Sequence, residues 1–276
     1  MTTSPAVAPT RALSGDAVDR ARAEGRAVLV GYLPVGFPDV AASVEAARAM
    51  VAGGVDVVEL GLPYSDPLID GPVIQHAVDA ALRGGTRTHD VLAAVEQVAA
   101  TGAAVLVMTY WNPVDRYGVD RFAADLASAG GAGLITPDLI PDEGGEWLAA
   151  SDAHGLERVF LVAPSSTDAR LHSTVAACRG WVYAASTMGV TGVRASVGDR
   201  AEGLVGRTRA AGAERVCVGL GVSTGDQAAT VAAYADGVIV GSAFVRAIRD
   251  GGAAAAGELA EELAAGVRRG RAGAAT

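Results

Sequence analysis

The chain of 276 residues carries a formal net charge of −9, and half of its residues are apolar. Net negative charge argues against a nucleic-acid partner and against binding to anionic membrane surfaces. No uncharged apolar run reaches the roughly 18 residues of a membrane-spanning helix, so we expect no membrane span. The two cysteines, Cys178 and Cys217, lie outside C-x-x-C and metal-binding patterns. Their apolar surroundings favour buried, reduced thiols in a cytoplasmic protein.

The N-terminal segment precedes the first strand. Residues 1–10 are rich in Ser, Thr, Ala and Pro and lack the basic and apolar regions of a signal peptide. We therefore expect residues 1–10 to be a flexible leader and residues 11–276 to form a single domain. The spacing of Leu13, Val18 and Ala21 predicts an additional helix over 11–24.

Beyond that helix, short apolar runs of strand length alternate with segments of helical spacing. The predicted strands cover 27–33, the apolar start of the stretch 55–72, 103–110, 132–136, 158–162, 181–185, 215–219 and 237–240. The predicted helices cover 40–52, 73–83, 89–100, 119–129, 143–154, 169–178, part of 198–211, 226–234 and the region that opens at 241–242. Residues 111–113 are predicted to form a loop.

Eight strands, each followed by helix, predict an α/β fold of right-handed parallel units. Eight such units close into a (β/α)8 TIM barrel of about 250 residues, here with an extra N-terminal helix. The rival is an open doubly wound sheet, which carries a glycine-rich phosphate loop after its first strand. Residues 34–38 read Pro-Val-Gly-Phe-Pro and lack that fingerprint, so the barrel is preferred.

One strand places an acidic residue in apolar surroundings. With a period of two, Val57, Glu59 and Gly61 share one face, while Val58 and Leu60 share the other. Both faces are expected to be buried, as in parallel sheets. A buried carboxylate costs several kcal/mol unless it is paired or used, so this glutamate serves either a structural ion pair or chemistry.

The loop after this strand adds further acids. Prolines at 63, 67 and 72 stiffen the loop, and it carries Asp66 and Asp70. A buried glutamate at the carboxyl end of a strand, with more acids just beyond, is what acid–base chemistry on a parallel α/β scaffold requires.

Three glycine-bearing segments, 189–192, 219–223 and 241–243, follow the last three predicted strands. Glycines there let backbone N–H groups approach an anion, and the third segment also opens a helix whose N-terminus favours phosphate. Each segment alone is also consistent with an ordinary turn. Together they fit the phosphate site that barrels often build after strands 7 and 8.

Residues 59–72 resemble the signature of the tryptophan synthase alpha subunit family, E-L-G-x-P-[FY]-S-D-P-x-x-D-G-P. The resemblance runs from about residue 25 to residue 247. It implies that Glu59 and Asp70 are the catalytic carboxylates and that Tyr183 is the active-site tyrosine. Thr187 stands where many family members carry Arg in a mobile loop, which puts the contacts of that loop in doubt.

The glycine-bearing segments resemble the family segments S-x-x-G-V-T-G, G-x-G-[IV]-S and G-S-A. By that match the substrate phosphate is held by Gly192, Gly221, Gly241 and Ser242. The family also assigns the region around Asp138 to subunit contact.

The resemblance implies retro-aldol cleavage of indole-3-glycerol phosphate to indole and glyceraldehyde 3-phosphate, with no cofactor in this chain. It also implies a beta subunit in an alpha2-beta2 assembly, which takes the indole on to tryptophan with pyridoxal phosphate. The sequence contains no lysine, so a Schiff base with that cofactor or a lysine aldolase mechanism is excluded here. Apolar walls for the indole are expected from Tyr32, Leu33, Tyr110 and Val162.

Three other functions remain open at this point. A stand-alone lyase that releases free indole would use the same residues. A catalytically silent binding subunit is disfavoured by the presence of both Glu59 and Asp70. A phospho-sugar isomerase of histidine biosynthesis would use a pair of aspartates on opposite strands, whereas this chain has a glutamate in its opening signature.

Overall fold

The predicted strands form a closed parallel barrel in the computed structural model, which describes residues 11–186, 194–219 and 221–272. Neighbours along the chain pair with each other, and the last strand pairs with the first. The strands are β1 Val28–Pro34, β2 Val57–Gly61, β3 Ala104–Met108, β4 Gly133–Thr136, β5 Glu157–Val162, β6 Val182–Ala185, β7 Val216–Gly219 and β8 Gly237–Val240. The predicted (β/α)8 TIM barrel is confirmed. The flexible leader predicted for residues 1–10 lies outside the described residues.

Helices surround the barrel and lead from each strand to the next. They are α1 Ser14–Ala23, α2 Val40–Ala52, α3 Pro72–Arg83, α4 Thr88–Ala99, α5 Trp111–Tyr117, α6 Val119–Ser128, α7 Gly145–Ala153, α8 Asp168–Ala177, α9 Arg194–Ala210, α10 Gly225–Ala232 and α11 Ser242–Ala272. The last of these is broken by non-helical backbone at Gly251 and Gly252. Among the described residues, no helix combines the length and the apolar character needed to cross a membrane.

The prediction of a loop at residues 111–113 is wrong, because α5 begins there. The carboxylate of Asp138 accepts hydrogen bonds from the backbone nitrogen of Trp111 at 2.9 and 3.1 Å. It therefore satisfies a free N–H group at the start of the helix from a different loop. Pro113 lies in the first turn, where its missing N–H is tolerated.

Side chains alternate between the barrel interior and the layer under the helices, as the period of two predicts. Val57 belongs to the interior cluster, together with residues such as Leu106 and Ile239. Val58 and Leu60 belong to the larger cluster between strands and helices. Glu59 therefore points into the barrel, where it is 0% exposed.

The additional helix α1 closes the bottom of the barrel. Ala17, Val18 and Ala21 on this helix pack against the interior cluster. At its N-terminus, the carboxylate of Glu157 accepts hydrogen bonds from Ser14 N at 2.8 Å, Ser14 Oγ at 2.5 Å and Gly15 N at 2.8 Å. No side-chain cap comes from the Leu13 position itself. Glu157 therefore caps α1 from the start of β5.

Candidate active site

Glu59 is the most deeply buried acid at the carboxyl ends of the described strands. It lies in β2 and pairs in register with Tyr32 of β1 and Leu106 of β3. Neither carboxylate oxygen has a hydrogen-bond partner within the described parts of the chain. Burial alone raises the pKa of Glu59 to about 8. At neutral pH the side chain of Glu59 is therefore mainly in its protonated, carboxylic acid form.

Asp70 follows Glu59 in the loop between β2 and α3 and is partly buried. Burial raises the pKa of Asp70, and a hydrogen bond from the Tyr110 hydroxyl acts in the opposite direction. The side-chain nitrogen Nε2 of Gln75 donates to the backbone oxygen of Asp70 at 2.8 Å. These contacts hold the carboxylate at the rim of the barrel rather than in open solvent.

Two tyrosines from opposite sides of the barrel lie close to these acids. Burial, Asp70 and Glu59 raise the pKa of Tyr32, in that order. Burial followed by Glu59 raises the pKa of Tyr183, with smaller contributions from Tyr32 and Asp70. The structure thus brings the predicted residues Glu59, Asp70 and Tyr183 together at one mouth, and it adds Tyr32.

The two tyrosines fit because glycines lie beneath their hydroxyl groups. A Cβ atom on Gly61 would lie 2.5 Å from the hydroxyl oxygen of Tyr32, and one on Gly219 would lie 2.6 Å from that of Tyr183. Any side chain at either glycine would displace a ring from the mouth. The sequence held a signal for this arrangement, because a glycine inside a strand marks close approach of another group.

A small cavity opens beside Asp70. Its walls include Tyr32, Met108, Thr109 and Tyr110. Apolar ring and thioether surfaces therefore lie beside an acceptor carboxylate at this point of the mouth.

The prediction is wrong for two of the four residues expected to form the wall of the indole site. Leu33 and Val162 belong to the cluster between strands and helices, not to the barrel interior. Each directly follows an inward-facing residue, Tyr32 or Leu161, and successive strand side chains point to opposite faces. Tyr32 and Tyr110 do line the cavity.

The glycines assigned to a phosphate lie at the ends of the last strands. Gly221 follows β7 and adopts a positive φ of 68°. Gly241 follows β8, and α11 begins at Ser242. A Cβ atom on Gly241 would lie 3.3 Å from Cδ1 of Tyr32, so this turn borders the same mouth. Gly192 lies outside the described residues, as does Thr187.

The arrangement of fold and site defines a class of protein. It is a (β/α)8-barrel enzyme with a buried glutamate on β2, an aspartate in the loop after it, and a helix N-terminus beside the same mouth. Active sites of such barrels lie at this end of the strands. No group of three or more His, Cys, Asp or Glu residues in the described part of the chain could hold a metal ion.

Comparison with known proteins gives the particular family. A family model described as tryptophan synthase alpha chain matches residues 18–271. The tryptophan synthase alpha chain of Acidothermus cellulolyticus is 62% identical over 258 residues, which cover 92% of this chain and 97% of that protein. The corresponding protein of Salinispora tropica is 63% identical over 259 residues, with coverage of 92% and 97%.

A solved structure agrees with the sequence relatives. Tryptophan synthase from M. tuberculosis, in an open form with BRD0059 bound, superposes with a TM-score of 0.87 at 58% identity. The match covers 92% of this chain and 98% of that one. The chain belongs to the tryptophan synthase alpha chain family, lyases that cleave indole-3-glycerol phosphate. The resemblance drawn from residues 59–72 is confirmed.

Proposed function

We propose that Glu59 is the acid–base catalyst with which this chain cleaves indole-3-glycerol phosphate to indole and glyceraldehyde 3-phosphate. The observation that carries this proposal is a buried carboxyl group, 0% exposed, with no hydrogen-bond partner for either oxygen among the described residues. Its pKa of about 8 keeps it protonated at neutral pH yet able to ionise.

The reaction needs two proton transfers, and one carboxyl group can perform both in turn. The acid form of Glu59 protonates carbon 3 of the indole ring, which leaves a positive charge centred on the ring nitrogen. The resulting carboxylate then removes the proton of the neighbouring side-chain hydroxyl. The bond between carbon 3 and the hydroxyl-bearing carbon breaks, its electron pair returns to the ring, and an aldehyde forms. Glu59 ends the cycle protonated, as it began.

Asp70 is proposed to accept the indole N–H and to stabilise the positive charge that develops on the ring. This role requires the ionised form, which burial disfavours and the Tyr110 hydrogen bond favours. A fixed negative charge in a site that excludes water acts much more strongly than the same charge in solvent. Tyr183 is proposed to pack against the reacting centre and to present its hydroxyl there, because Glu59 is near enough to raise the pKa of Tyr183.

The phosphate of the substrate is proposed to bind at Gly192, Gly221, Gly241 and Ser242. The N-terminal N–H groups and dipole of α11, which begins at Ser242, suit a dianion. Anchoring the phosphate at this end fixes the position of the bond to be broken relative to Glu59.

We further propose that the chain works in the cytoplasm with a beta subunit, in an alpha2-beta2 assembly. Family membership supports this proposal, and the similar solved structure from M. tuberculosis is that of tryptophan synthase. Pyridoxal phosphate would belong to the beta subunit, because this sequence has no lysine to bind it. Residues 11–276 would then act as one catalytic domain.

The direct test is release of indole from indole-3-glycerol phosphate by the purified chain, alone and with a beta subunit. We expect indole release that the beta subunit increases. Full activity without any response to a beta subunit would support a stand-alone lyase instead. No release under either condition, from a folded chain, would contradict the proposed function.

A further inference from the structure

The hydroxyl of Tyr110 contacts three consecutive residues of the loop that carries Asp70. The backbone nitrogens of Leu68 and Ile69 donate to it at 2.9 and 3.1 Å. The carboxylate of Asp70 lies near the same hydroxyl, which lowers the pKa of Asp70 against the effect of burial. Both acceptor positions of the phenol oxygen therefore serve the backbone immediately before Asp70.

The loop has little other anchorage at this point. The side chains of Leu68 and Ile69 are 76% and 54% exposed, so neither holds the loop by packing. Tyr110 itself is 5% exposed and precedes α5, which places its hydroxyl on a rigid element. From the other side, Gln75 of α3 bonds only to the backbone oxygen of Asp70. The position of the loop immediately before Asp70 therefore depends on the hydroxyl of Tyr110.

The other titratable groups that face Asp70 do not favour its charged form. Tyr32 of β1, Glu59 of β2 and Tyr183 of β6 are neutral or acidic groups whose own pKa values are raised in this mouth. Tyr110 is the group whose hydrogen bond lowers the pKa of Asp70 against the effect of burial.

We propose that Tyr110 is a positioning residue for the lyase reaction: its hydroxyl fixes the backbone at residues 68 and 69 and thereby holds the Asp70 carboxylate at the mouth. This inference rests on the function proposed above, because it assumes that ionised Asp70 stabilises the charged indole ring. Tyr110 acts through Asp70 and through the loop backbone, while its ring forms one wall of the cavity.

The test is Tyr110→Phe, which keeps the ring and removes the hydroxyl. We expect kcat to fall about tenfold or more, since the loop that carries Asp70 loses both of its hydrogen bonds to this hydroxyl, while KM changes less. The acidic limb of the pH profile of kcat/KM should move to higher pH. Asp70 must be ionised for the reaction, and its pKa should rise when the Tyr110 hydroxyl is removed. A residue with a purely structural role would not move that limb.

Tyr117→Phe is the matched control. Tyr117 is the last residue of α5 and its hydroxyl donates to Asp125 at 2.7 Å, so this variant also removes a hydrogen-bonded tyrosine hydroxyl, but away from the mouth. We expect wild-type kcat and an unchanged pH profile. Replacing Tyr110 with 3-fluorotyrosine preserves the hydroxyl but makes it a stronger donor. The acidic limb should then move to lower pH, a readout that does not depend on the folding of Tyr110→Phe.

The outcomes separate the two claims. If the wild-type chain releases no indole, the proposed function fails before Tyr110 is considered. If the wild type is active but Tyr110→Phe retains its kcat and its acidic limb, the role of Tyr110 is overturned and the function stands. An unchanged limb in the 3-fluorotyrosine protein would overturn that role equally.

Discussion

Two glutamates are buried at opposite ends of the same barrel, and their surroundings differ in one respect. Glu157 at the bottom is 3% exposed, and its carboxylate accepts three hydrogen bonds from Ser14 and Gly15. Glu59 at the mouth is 0% exposed, and neither of its oxygens has a partner among the described residues. Burial is therefore common to both, and the supply of donors distinguishes a structural acid from one available for chemistry.

The difference also appears in the ionisation of the two groups. Burial raises the pKa of Glu157, but its bonds to Ser14 and Gly15 act in the opposite direction. Burial acts unopposed on Glu59, and its pKa reaches about 8. A proton can therefore leave and return at Glu59 near neutral pH, whereas the hydrogen bonds from the start of α1 favour the charged form of Glu157 against the effect of burial on its pKa.

The largest expected effect is on catalytic activity, which Glu59→Gln should lose and Glu157→Gln should keep. Glu59→Gln removes the group that transfers both protons, so we expect kcat for indole release to fall about a thousandfold. Glu157→Gln leaves the mouth intact and should keep its activity per folded molecule. The check is a paired assay of both variants at saturating substrate, with folding confirmed by circular dichroism. Comparable losses of kcat in the two variants would contradict the distinction between a catalytic Glu59 and a structural Glu157.

Asp70→Asn tests the second acid of the mouth. The amide can still accept a hydrogen bond from the indole N–H but carries no negative charge. Because the ring is positively charged during the reaction, we expect kcat to fall about a hundredfold with a smaller change in KM. Single-turnover kinetics would separate chemistry from binding. An unchanged kcat would reduce Asp70 to a residue that only shapes its loop.

When the free energy of unfolding is measured instead of activity, Glu157→Gln should be the more damaging of the two variants. Glu157→Gln keeps one acceptor oxygen and points an amide at buried donors, so we expect a loss of about 3 kcal/mol in the free energy of unfolding. Chemical denaturation provides the measurement. Glu258→Gln, at an exposed position of α11, is the matched control and should change stability by less than about 0.5 kcal/mol. A similar small value for Glu157→Gln would show that α1 does not depend on that cap.

A change of similar size but opposite sign is expected in the free energy of unfolding of Glu59→Gln. The pKa of Glu59 is near 4.5 in the unfolded chain and about 8 in the folded chain. Between these values the folded state binds more protons, so the wild type loses stability as pH rises. Glutamine does not titrate, and the variant should be more stable by about 3 kcal/mol at pH 7. This difference should shrink towards pH 5, as measured by denaturation across the pH range.

The barrel could be predicted from the sequence because its signals are local. Apolar runs, glycines and helical spacing lie within a few residues of one another, and the signature at 59–72 locates the acidic strand directly. The role of Glu157 could not be predicted in this way. The strand was expected to begin at residue 158, and the partner Ser14 lies 143 residues away in the chain. A contact of this kind appears only once the barrel has closed.

The candidate site was predictable only in part, for a related reason. Glu59, Asp70 and Tyr183 follow from motif positions, and the structure brings them to one mouth. The hydroxyl of Tyr110 acts on residues about 40 positions earlier in the chain, which no periodicity reveals. Leu33 and Val162 were expected at the wall because they are apolar, but apolarity does not say which side of a strand faces inward.

The most direct test of the account is a titration of Glu59 itself. The side-chain carboxyl groups would be labelled with carbon-13, and the signal missing from Glu59→Gln would assign the residue. A midpoint of about 8 in the free protein is the predicted result. A midpoint near 4.5, the ordinary value for glutamate, would contradict the claim that an unpaired buried carboxylic acid performs the proton transfers.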